Sequence, residues 1–281
     1  MLTEENYYST EMNKKYCSAS QYLSFMGRPA IPGCEARTMA ELNGEYEEEK
    51  SKALLIGSIL DALWEGATSE ELVDRFPDCV SSRGQTKGEI KADYKQAIYL
   101  YQRSMQDSMF RKYMSGNKQV IMTGEIEGLP FKIKMDSFHP GAAIVDLKTT
   151  ENSHPTHRYY HKMTGERLPF YLWWGYDTQL AIYREIVRRN TGDELPCFIA
   201  AIDKKTHPRP EIIMLDNVLL DQALENVKRN CEKIIMLKSG EIDPIRCDSD
   251  GCDYCRDTYV CKGVTSSEFE TMDDKGGDGA A

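Results

Sequence analysis

The stretch KMDSFHPGAAIVDLKTT, at residues 134–150, places an aspartate before a short turn and two opposite charges inside an apolar run. Side chains alternate between the two faces of a strand, so Asp146 and Lys148 point to the same face, about 7 Å apart along the strand. An antiparallel return through the Pro-Gly turn would bring Asp136 beside Asp146. The stretch therefore predicts two carboxylates and an ammonium group close together on a buried sheet.

Two neighbouring carboxylates repel each other unless a cation lies between them. Mg²⁺, or Mn²⁺ in its place, takes oxygen ligands and keeps several water molecules, one of which can attack a phosphodiester. Lys148 can then orient this water or stabilise charge on the phosphate. An isolated Asp-x-Lys triplet is more simply a salt bridge at a strand end. Here the apolar run before Asp146 and the acid at Asp136 favour a metal site, because both acids would be costly to bury without a cation.

Composition predicts a globular protein without a membrane anchor. The 281 residues are 41% hydrophobic, enough for a single domain over residues 1–262, and the acidic, glycine-rich tail at 263–281 is expected to be disordered. The polar amino-terminal residues predict no secretory signal, no run of apolar residues is long enough to span a membrane, and we expect a cytoplasmic protein. The net charge of -10 argues against binding polyanions over the whole surface but leaves a local basic channel open.

Hydrophobic periodicity predicts a mixed α/β arrangement with a three-stranded meander at its centre. Turn signals at Glu127-Gly128 and Pro140-Gly141 separate the strands of this meander. The predicted strands cover residues 119–126, 129–138, 142–149, 197–203 and 211–215. The predicted helices cover residues 20–25, 35–42, 52–64, 92–113, 174–189 and 216–239. Residues 151–169 are expected to be irregular.

Several segments together resemble one nuclease superfamily. PFKIKMDSF and AAIVDLKTT resemble the core of the PD-(D/E)xK nucleases. GSILDALWEG, at 57–66, resembles the helix before that core in RecB-type and RecE-like exonucleases, and YDTQLAIYREI, at 176–186, resembles their Q-x-x-x-Y helix. SASQ at 18–21, CEA at 34–36 and CDYCR at 252–256 resemble a phage-associated RecE-like branch. The order and spacing of these matches make the set specific.

The resemblance implies a restriction-endonuclease-like α/β fold, in which a mixed central sheet is flanked by helices. It also implies that Asp136 and Asp146 bind the metal and that Lys148 is the catalytic lysine. Gln179 and Tyr183 are one helical turn apart and share a face, which by resemblance approaches the active site or the DNA end. Taken alone, this pair would be an ordinary amphipathic helix surface.

Two further acids are candidate metal ligands. Asp61 stands where many of these exonucleases carry a histidine near the metal, and an aspartate can also bind Mg²⁺ through oxygen. Glu125, on the first predicted strand, is an additional candidate, with a solvent-facing glutamate as the alternative.

The cysteine-rich end of the chain predicts a second metal site. Cys252, Cys255 and Cys261 form C-x2-C-x5-C among polar residues, with Cys247 upstream and Cys34 far away in the sequence. The spacing resembles that of AddB-type iron-sulfur nucleases and CRISPR-adaptation nucleases, which implies a [4Fe-4S] cluster in which Cys34 joins the other three. A Zn²⁺ site closed by Cys247 and free thiols are the alternatives. The remaining cysteines are interpreted as core or incidental residues: Cys17, Cys79, Cys197 and Cys231.

Basic and aromatic residues suggest where DNA binds. In HPTHRYYHKMTGER, at residues 154–167, cationic side chains can pair with phosphates and tyrosines can stack on bases, although a solvated loop is an equal alternative. A second basic patch lies in KKTHPRP. The candidate DNA-binding residues are Arg158, Tyr159, Lys162, Lys204 and Lys205.

The resemblance implies a metal-dependent exonuclease that hydrolyses the phosphodiester bonds of linear double-stranded DNA. Its expected role is to leave single strands for a partner annealing protein in phage-type recombination. Related exonucleases form ring-shaped homo-oligomers, but no interface is identifiable in this sequence. The alternative is a catalytically weak or inactive DNA-binding or assembly module, with which Asp61 and the acidic net charge are compatible.

Overall fold

The computed structural model describes residues 2–49, 51–162 and 164–261, and the predicted tail at 263–281 lies outside them. The α-helices are α1 (Thr10–Lys15), α2 (Ala19–Met26), α3 (Glu35–Asn43), α4 (Lys52–Glu65), α5 (Ser69–Arg75), α6 (Lys95–Gln106), α7 (Ser108–Tyr113), α8 (Phe170–Trp173), α9 (Tyr176–Thr191), α10 (Asn217–Ser239) and α11 (Asp253–Asp257). Single 3-10 turns cover Pro77–Cys79, Gly84–Thr86 and Ala92–Tyr94. Within the described residues, no helix has the length and apolar character needed to cross a bilayer.

The strands are β1 (Val120–Ile126), β2 (Leu129–Met135), β3 (Ser137–His139), β4 (Ala143–Thr150), β5 (Tyr159–Tyr160), β6 (Arg167–Leu168), β7 (Cys197–Asp203) and β8 (Pro210–Met214). The central sheet has four of these strands, in the order β3-β4-β7-β8. Its two inner strands are parallel, and each edge strand is antiparallel to its neighbour, so the sheet is mixed. The other described strands form two separate hairpins, β1-β2 and β5-β6. The predicted mixed α/β fold is confirmed.

Both faces of the two inner strands are buried. Ile144 and Ile199 belong to the core formed with α2, α9 and α10, whereas Val145 and Ala200 face the core formed with α4, α6 and α7. Because both faces are covered, β7 is apolar up to its last residue and β4 begins with an apolar run at 143–145. Asp146, which lies on the same face as Ile144, is therefore held inside the protein rather than at its surface, with 2% of its area exposed.

The predicted meander is wrong in one respect, because the chain changes sheets at Asp136. The predicted strand at 129–138 is split there into β2, which pairs with β1, and β3, which pairs with β4. The Asp136 carboxylate accepts a hydrogen bond from the Leu147 backbone N–H at 2.8 Å and so takes the place of a backbone partner. The meander is thus two hairpins, with Asp136 at the junction between them.

Two predicted helices are also interrupted. The predicted helix at 92–113 ends at Asp107 and restarts as α7, because the Asp107 carboxylate accepts from the Phe110 backbone N–H at 2.9 Å and caps the new helix. The predicted helix at 174–189 is preceded by α8, from which Gly175, with φ of 72°, separates it. The segment at 151–169, expected to be irregular, contains the short β5-β6 hairpin.

We expect Asp107→Ala to lower the free energy of unfolding by about 1 kcal/mol, because the amino terminus of α7 loses its cap. Urea unfolding followed by circular dichroism measures this change. Asp107→Asn keeps a capping oxygen and should retain nearly the wild-type stability. Equal losses in the two variants would show that the negative charge, rather than the cap, stabilises this junction.

Candidate active site

A cavity of about 1000 Å³ opens beside the carboxyl-terminal half of β4. Its walls come from α2, α4, α9, β2, β4 and the amino-terminal segment, which are far apart in the sequence. The cavity is lined by six of the predicted site residues: Asp61, Asp136, Asp146, Lys148, Gln179 and Tyr183. The structure therefore brings the predicted catalytic set to one place.

Asp146 and Lys148 project from β4 into this cavity. Asp146 Oδ2 lies 2.5 Å from Lys148 Nζ, so the salt bridge that the triplet alone suggested is present. The ammonium group also lies 4.9 Å from the centre of the Tyr176 ring. These contacts hold the lysine within the cavity rather than at the protein surface.

Helix α9 fixes the Asp146 carboxylate from the other side. Gln179 Nε2 donates to Asp146 Oδ1 at 2.8 Å and lies 3.1 Å from the Tyr183 hydroxyl. The Tyr183 hydroxyl donates to the Lys134 backbone carbonyl at 3.2 Å. Because Gln179 and Tyr183 are one turn apart, a single helix face connects β4 to β2.

The second acid is oriented by backbone and side-chain donors. Besides its hydrogen bond from Leu147, Asp136 has Oδ1 3.4 Å from Gln119 Nε2. Gln119 adopts a left-handed conformation, with φ of 51°, immediately before β1. The contact between Gln119 and Asp136 was not predicted. The two residues are seventeen positions apart, and no helix or strand periodicity relates them.

The structure does not bring Glu125 to the site. On β1 it is exposed and lies opposite Pro130, near the closed end of the hairpin. Asp136 follows Met135, which pairs with Val120 at the open end. Five residues of extended strand separate these positions by about 17 Å, so the solvent-facing alternative describes Glu125.

A comparison with known proteins identifies the family. A family model described as a PDDEXK-like domain of unknown function (DUF3799) matches residues 18–258. The chain belongs to this family. A crystal structure of a candidate exonuclease from Eubacterium rectale is 46% identical to it, with a TM-score of 0.87, and the match covers 95% of this chain and 96% of the other. The resemblance to PD-(D/E)xK nucleases and the fold class it implied are confirmed.

Other comparisons add no argument about function. The crystal structure of SSO0001 is 12% identical over 70% of this chain and 82% of the other, with a TM-score of 0.28. That score is too low to support a shared fold. No curated protein shows significant similarity to the chain.

The carboxylates of this PDDEXK-like site repel one another. Burial, followed by the charge of Asp136, raises the pKa of Asp61 well above its ordinary value. Burial also raises the pKa of Asp146 to about 6, with Lys148 opposing the increase and Asp136 adding to it. For Lys148, burial lowers the pKa, but the Asp146 carboxylate outweighs burial and the pKa lies above its usual value.

Asp61, Asp136 and Asp146 thus place their carboxylates in the same cavity as the Lys148 ammonium group, where their charges repel one another. Such a set favours an added cation, and carboxylate oxygens are the ligands of hard divalent ions such as Mg²⁺ and Mn²⁺. Asp61, Asp136 and Asp146 fit this requirement, although the donor set does not distinguish one of these ions from the other. An aspartate in the place of the histidine expected from the resemblance keeps an oxygen donor at the cavity.

The candidate DNA-binding hairpin lies apart from the cavity lining. Arg158 and Lys162 are exposed, and the Tyr159 ring stacks on Trp173 with 5.6 Å between ring centres. The next residue, Trp174, lines the cavity. The hairpin is therefore connected to the cavity rim through these tryptophans, and its role in DNA binding stays a prediction.

The second basic patch lies at the end of β7, next to the end of β4. Lys204 Nζ is 3.5 Å from Thr149 Oγ1, and Lys205 Nζ is 3.9 Å from an Asp203 carboxylate oxygen. Neither lysine lines the cavity among the described residues. Their contact with DNA also stays a prediction.

The sequence did not reveal a basic and aromatic wall of the cavity. Lys132 Nζ lies 4.5 Å from the Tyr7 ring centre, and Lys134 Nζ lies 5.0 Å from the Tyr8 ring centre. The two lysines alternate with apolar residues on β2, so their shared face was predictable from a period of two. Nothing in the sequence indicates that the amino-terminal tyrosines pack against this face.

The structure also selects among the cysteines. Cys34, Cys247, Cys252 and Cys255 lie together, while Cys261 is exposed and outside this group. This set differs both from the predicted iron-sulfur set, which contained Cys261, and from the zinc set, which lacked Cys34. The four cysteines interpreted as core residues are all buried: Cys17, Cys79, Cys197 and Cys231.

We expect Asp61→Asn to be more stable than the wild type at pH 8 in the presence of a metal chelator. A raised folded-state pKa means that the folded protein binds the proton more tightly than the unfolded chain, so wild-type stability falls as the pH rises above about 4. The variant lacks this contribution, and its stability should depend less on pH between 5 and 8. Urea unfolding across this range measures the difference.

Asp193→Asn is a matched control, because it removes an exposed carboxylate outside the cavity. It should follow the wild-type pH dependence. If Asp61→Asn and Asp193→Asn behave alike, the charge of Asp61 does not destabilise the metal-free site.

Proposed function

We propose that this protein is a metal-dependent exonuclease that hydrolyses the phosphodiester bonds of linear double-stranded DNA. The observation that carries the proposal is the meeting of Asp136, Asp146, Lys148 and Gln179 in one cavity. Membership of a PDDEXK-like family and the similarity to a candidate exonuclease support a nuclease.

The metal would be held by Asp61, Asp136 and Asp146, which all line the cavity. A bound Mg²⁺ or Mn²⁺ supplies a Lewis acid for the phosphate and lowers the pKa of a coordinated water. The protein itself keeps the ligands in position. Gln179 donates to Asp146 Oδ1 and the Leu147 N–H donates to Asp136 Oδ2, which fixes one oxygen of each carboxylate. The other oxygens contact Lys148 and Gln119, and the ion would share or replace these contacts.

Lys148 provides the positive charge that the reaction needs. In phosphodiester hydrolysis the water oxygen forms a bond to phosphorus, the bond from phosphorus to one ester oxygen breaks, and negative charge increases on the phosphate oxygens. The Lys148 ammonium group can donate a hydrogen bond to one of these oxygens. Tyr176 lies against this ammonium group and limits the positions it can adopt.

The wall formed by the amino-terminal segment and β2 suits a nucleic-acid strand. Tyr8 is 70% exposed, so its ring is available for stacking on a base. Lys134, beside it, can pair with a phosphate. The acidic net charge argues against DNA binding over the whole surface, but this ring and cation give the cavity a local site for a nucleic-acid strand.

The single strand left by digestion would serve a partner annealing protein in phage-type recombination.

We expect Lys148→Ala to lower the rate of DNA hydrolysis by at least about 100-fold, because the developing phosphate charge loses its donor. The measurement is the loss of end label from linear duplex DNA with Mg²⁺, with Mn²⁺ and with chelator. Lys112→Ala removes an exposed lysine from α7 and should cleave like the wild type. Circular dichroism of both variants verifies folding.

Labels at the 5′ and 3′ ends define the polarity of digestion. Closed circular DNA tests whether the enzyme needs a free end, and linear duplex RNA tests whether it needs DNA. Cleavage of the circle at the same rate would overturn the exonuclease proposal. If folded wild-type protein cleaves nothing with either metal, the alternative of a DNA-binding module stands in its place.

We expect Tyr8→Ala to weaken binding of a single-stranded oligonucleotide by about 1–3 kcal/mol, because one stacking platform is lost. Fluorescence anisotropy with Lys148→Ala protein measures binding without turnover. Tyr8→Phe keeps the ring and should bind normally. Tyr99→Ala removes a partly exposed ring on α6 that does not line the cavity, and an equal loss there would contradict a specific role for Tyr8.

A further inference from the structure

Four thiol groups lie close together outside the lining of the carboxylate cavity. The Sγ atoms of Cys34, Cys247, Cys252 and Cys255 all lie within 4.8 Å of one another. Cys255 Sγ is 3.6 Å from Cys34 Sγ and 3.8 Å from Cys247 Sγ. A disulfide requires a separation of about 2.05 Å, so these thiols are not oxidised pairs. Three of the four residues are buried and Cys247 is half-buried.

The spacing of the sulfurs matches a single tetrahedral ion. Four thiolates about 2.3 Å from a central Zn²⁺ lie about 3.8 Å from one another, since a tetrahedron's edge is about 1.6 times the distance from its centre to a corner. In a [4Fe-4S] cluster each thiolate binds a different iron, so the sulfurs stand outside the iron atoms and lie farther apart. The observed separations favour one ion.

We propose that Cys34, Cys247, Cys252 and Cys255 bind one structural Zn²⁺ and that Cys261 is not a ligand. All four positions of a tetrahedral ion are taken by protein sulfurs, which is typical of structural rather than catalytic zinc. The site is distinct from the carboxylates of the cavity, so its existence does not depend on the proposed nuclease activity.

Backbone donors around the sulfurs offset their negative charge. Cys34 is the N-cap of α3, where its Sγ accepts from the Arg37 backbone N–H at 3.5 Å and lies at the positive end of the helix. The backbone N–H groups of Cys247 and Asp248 donate to the thiols of Cys34 and Cys255. Thiolates bound to a dication keep an excess of negative charge, which such donors stabilise.

The surroundings of the thiols are too small to hold the chain by packing alone. Among the described residues, this buried group consists of Cys34, Ala36, Cys252 and Cys255, with Cys247 and Tyr254 at its edge. Around it, the carboxyl-terminal segment is tied to α3 by polar contacts: Ala36 N–H to Ile245 O at 3.1 Å, and Ile245 N–H to Glu35 Oε2 at 3.0 Å. A metal ion would supply the cross-link that this small core lacks.

The proposed metal site is connected to the cavity by α3, which begins beside Cys34 and lines the cavity wall with Thr38. Thr38 Oγ1 donates to the Cys34 backbone carbonyl at 2.8 Å, and Thr38 itself lines the cavity wall with Glu41. Loss of the ion would therefore loosen the α2-α3 wall as well as the carboxyl-terminal segment.

Metal content tests the proposal directly. Wild-type protein, Lys148→Ala and Cys261→Ser, purified under reducing conditions, should each contain one zinc per chain by mass spectrometry of the metal. Cys34→Ser and Cys252→Ser should lose it. Iron with acid-labile sulfide and broad visible absorbance, lost in Cys261→Ser, would overturn the proposal in favour of an iron-sulfur cluster. Full-length wild-type protein without bound metal would also overturn it.

A second measurement uses only wild-type protein, so it does not depend on the folding of a variant. Co²⁺ exchanged into the site should give the visible transitions of a tetrahedral thiolate complex, which added Zn²⁺ abolishes. Removal of the ion with a thiol-displacing reagent and chelator should lower Tm by at least about 5 °C, and Zn²⁺ but not Mg²⁺ should restore it. An octahedral Co²⁺ spectrum, or an unchanged Tm, would contradict a structural four-cysteine site.

Discussion

A charged carboxylate buried in the middle of an apolar sheet is the constraint on which the rest of this structure depends. Asp146 lies on an inner strand, between two cores, and is almost fully shielded from solvent. A buried charge costs several kcal/mol unless charges and donors surround it. Here the surroundings are Lys148 on the same strand and Gln179 on α9, so both elements must pack in one register.

The same requirement explains why distant segments meet at this point. Helix α9 has an apolar side in the core, including Leu180 and Ile186, and a polar row that reaches Asp146 and the β2 backbone. A one-residue change in the register of β4 would put Val145 or Leu147 in the place of Asp146. Gln179 would then have no carboxylate to bind. Packing and polar contacts therefore select the same arrangement, which is typical of sequences that specify a single fold.

Both ends of the described chain are fastened around this core. The amino-terminal segment is held by Lys238 of α10, whose Nζ donates to the carbonyls of Asn13 and Tyr16 at 3.0 and 3.2 Å. Buried Lys132 of β2 also contacts the Tyr7 carbonyl and Asn13. The carboxyl-terminal segment meets α3 at the four cysteines and is joined to it by the hydrogen bonds of Ile245 with Ala36 and Glu35. Polar contacts of lysines at one end and of Ile245 at the other therefore fasten the two terminal segments to the core.

The sequence by itself determined the elements whose signals are local. The apolar run at 197–203 predicted β7 with its exact bounds, and alternation on β4 placed Asp146 and Lys148 on one face. These two predictions are correct because the direction of a side chain follows directly from the geometry of the strand backbone. The resemblance added the roles of Gln179 and Asp61, which the structure places around the same cavity.

Only the tertiary structure decided which distant residues meet. It split the strand at Asp136, left Glu125 at the far end of a hairpin and placed Tyr8 at the cavity. It also exchanged Cys261 for Cys247 in the thiol group. Each outcome depends on how separate elements pack and where the chain changes direction. Spacing along the sequence does not record those distances, because the same spacing is compatible with many relative positions of the elements.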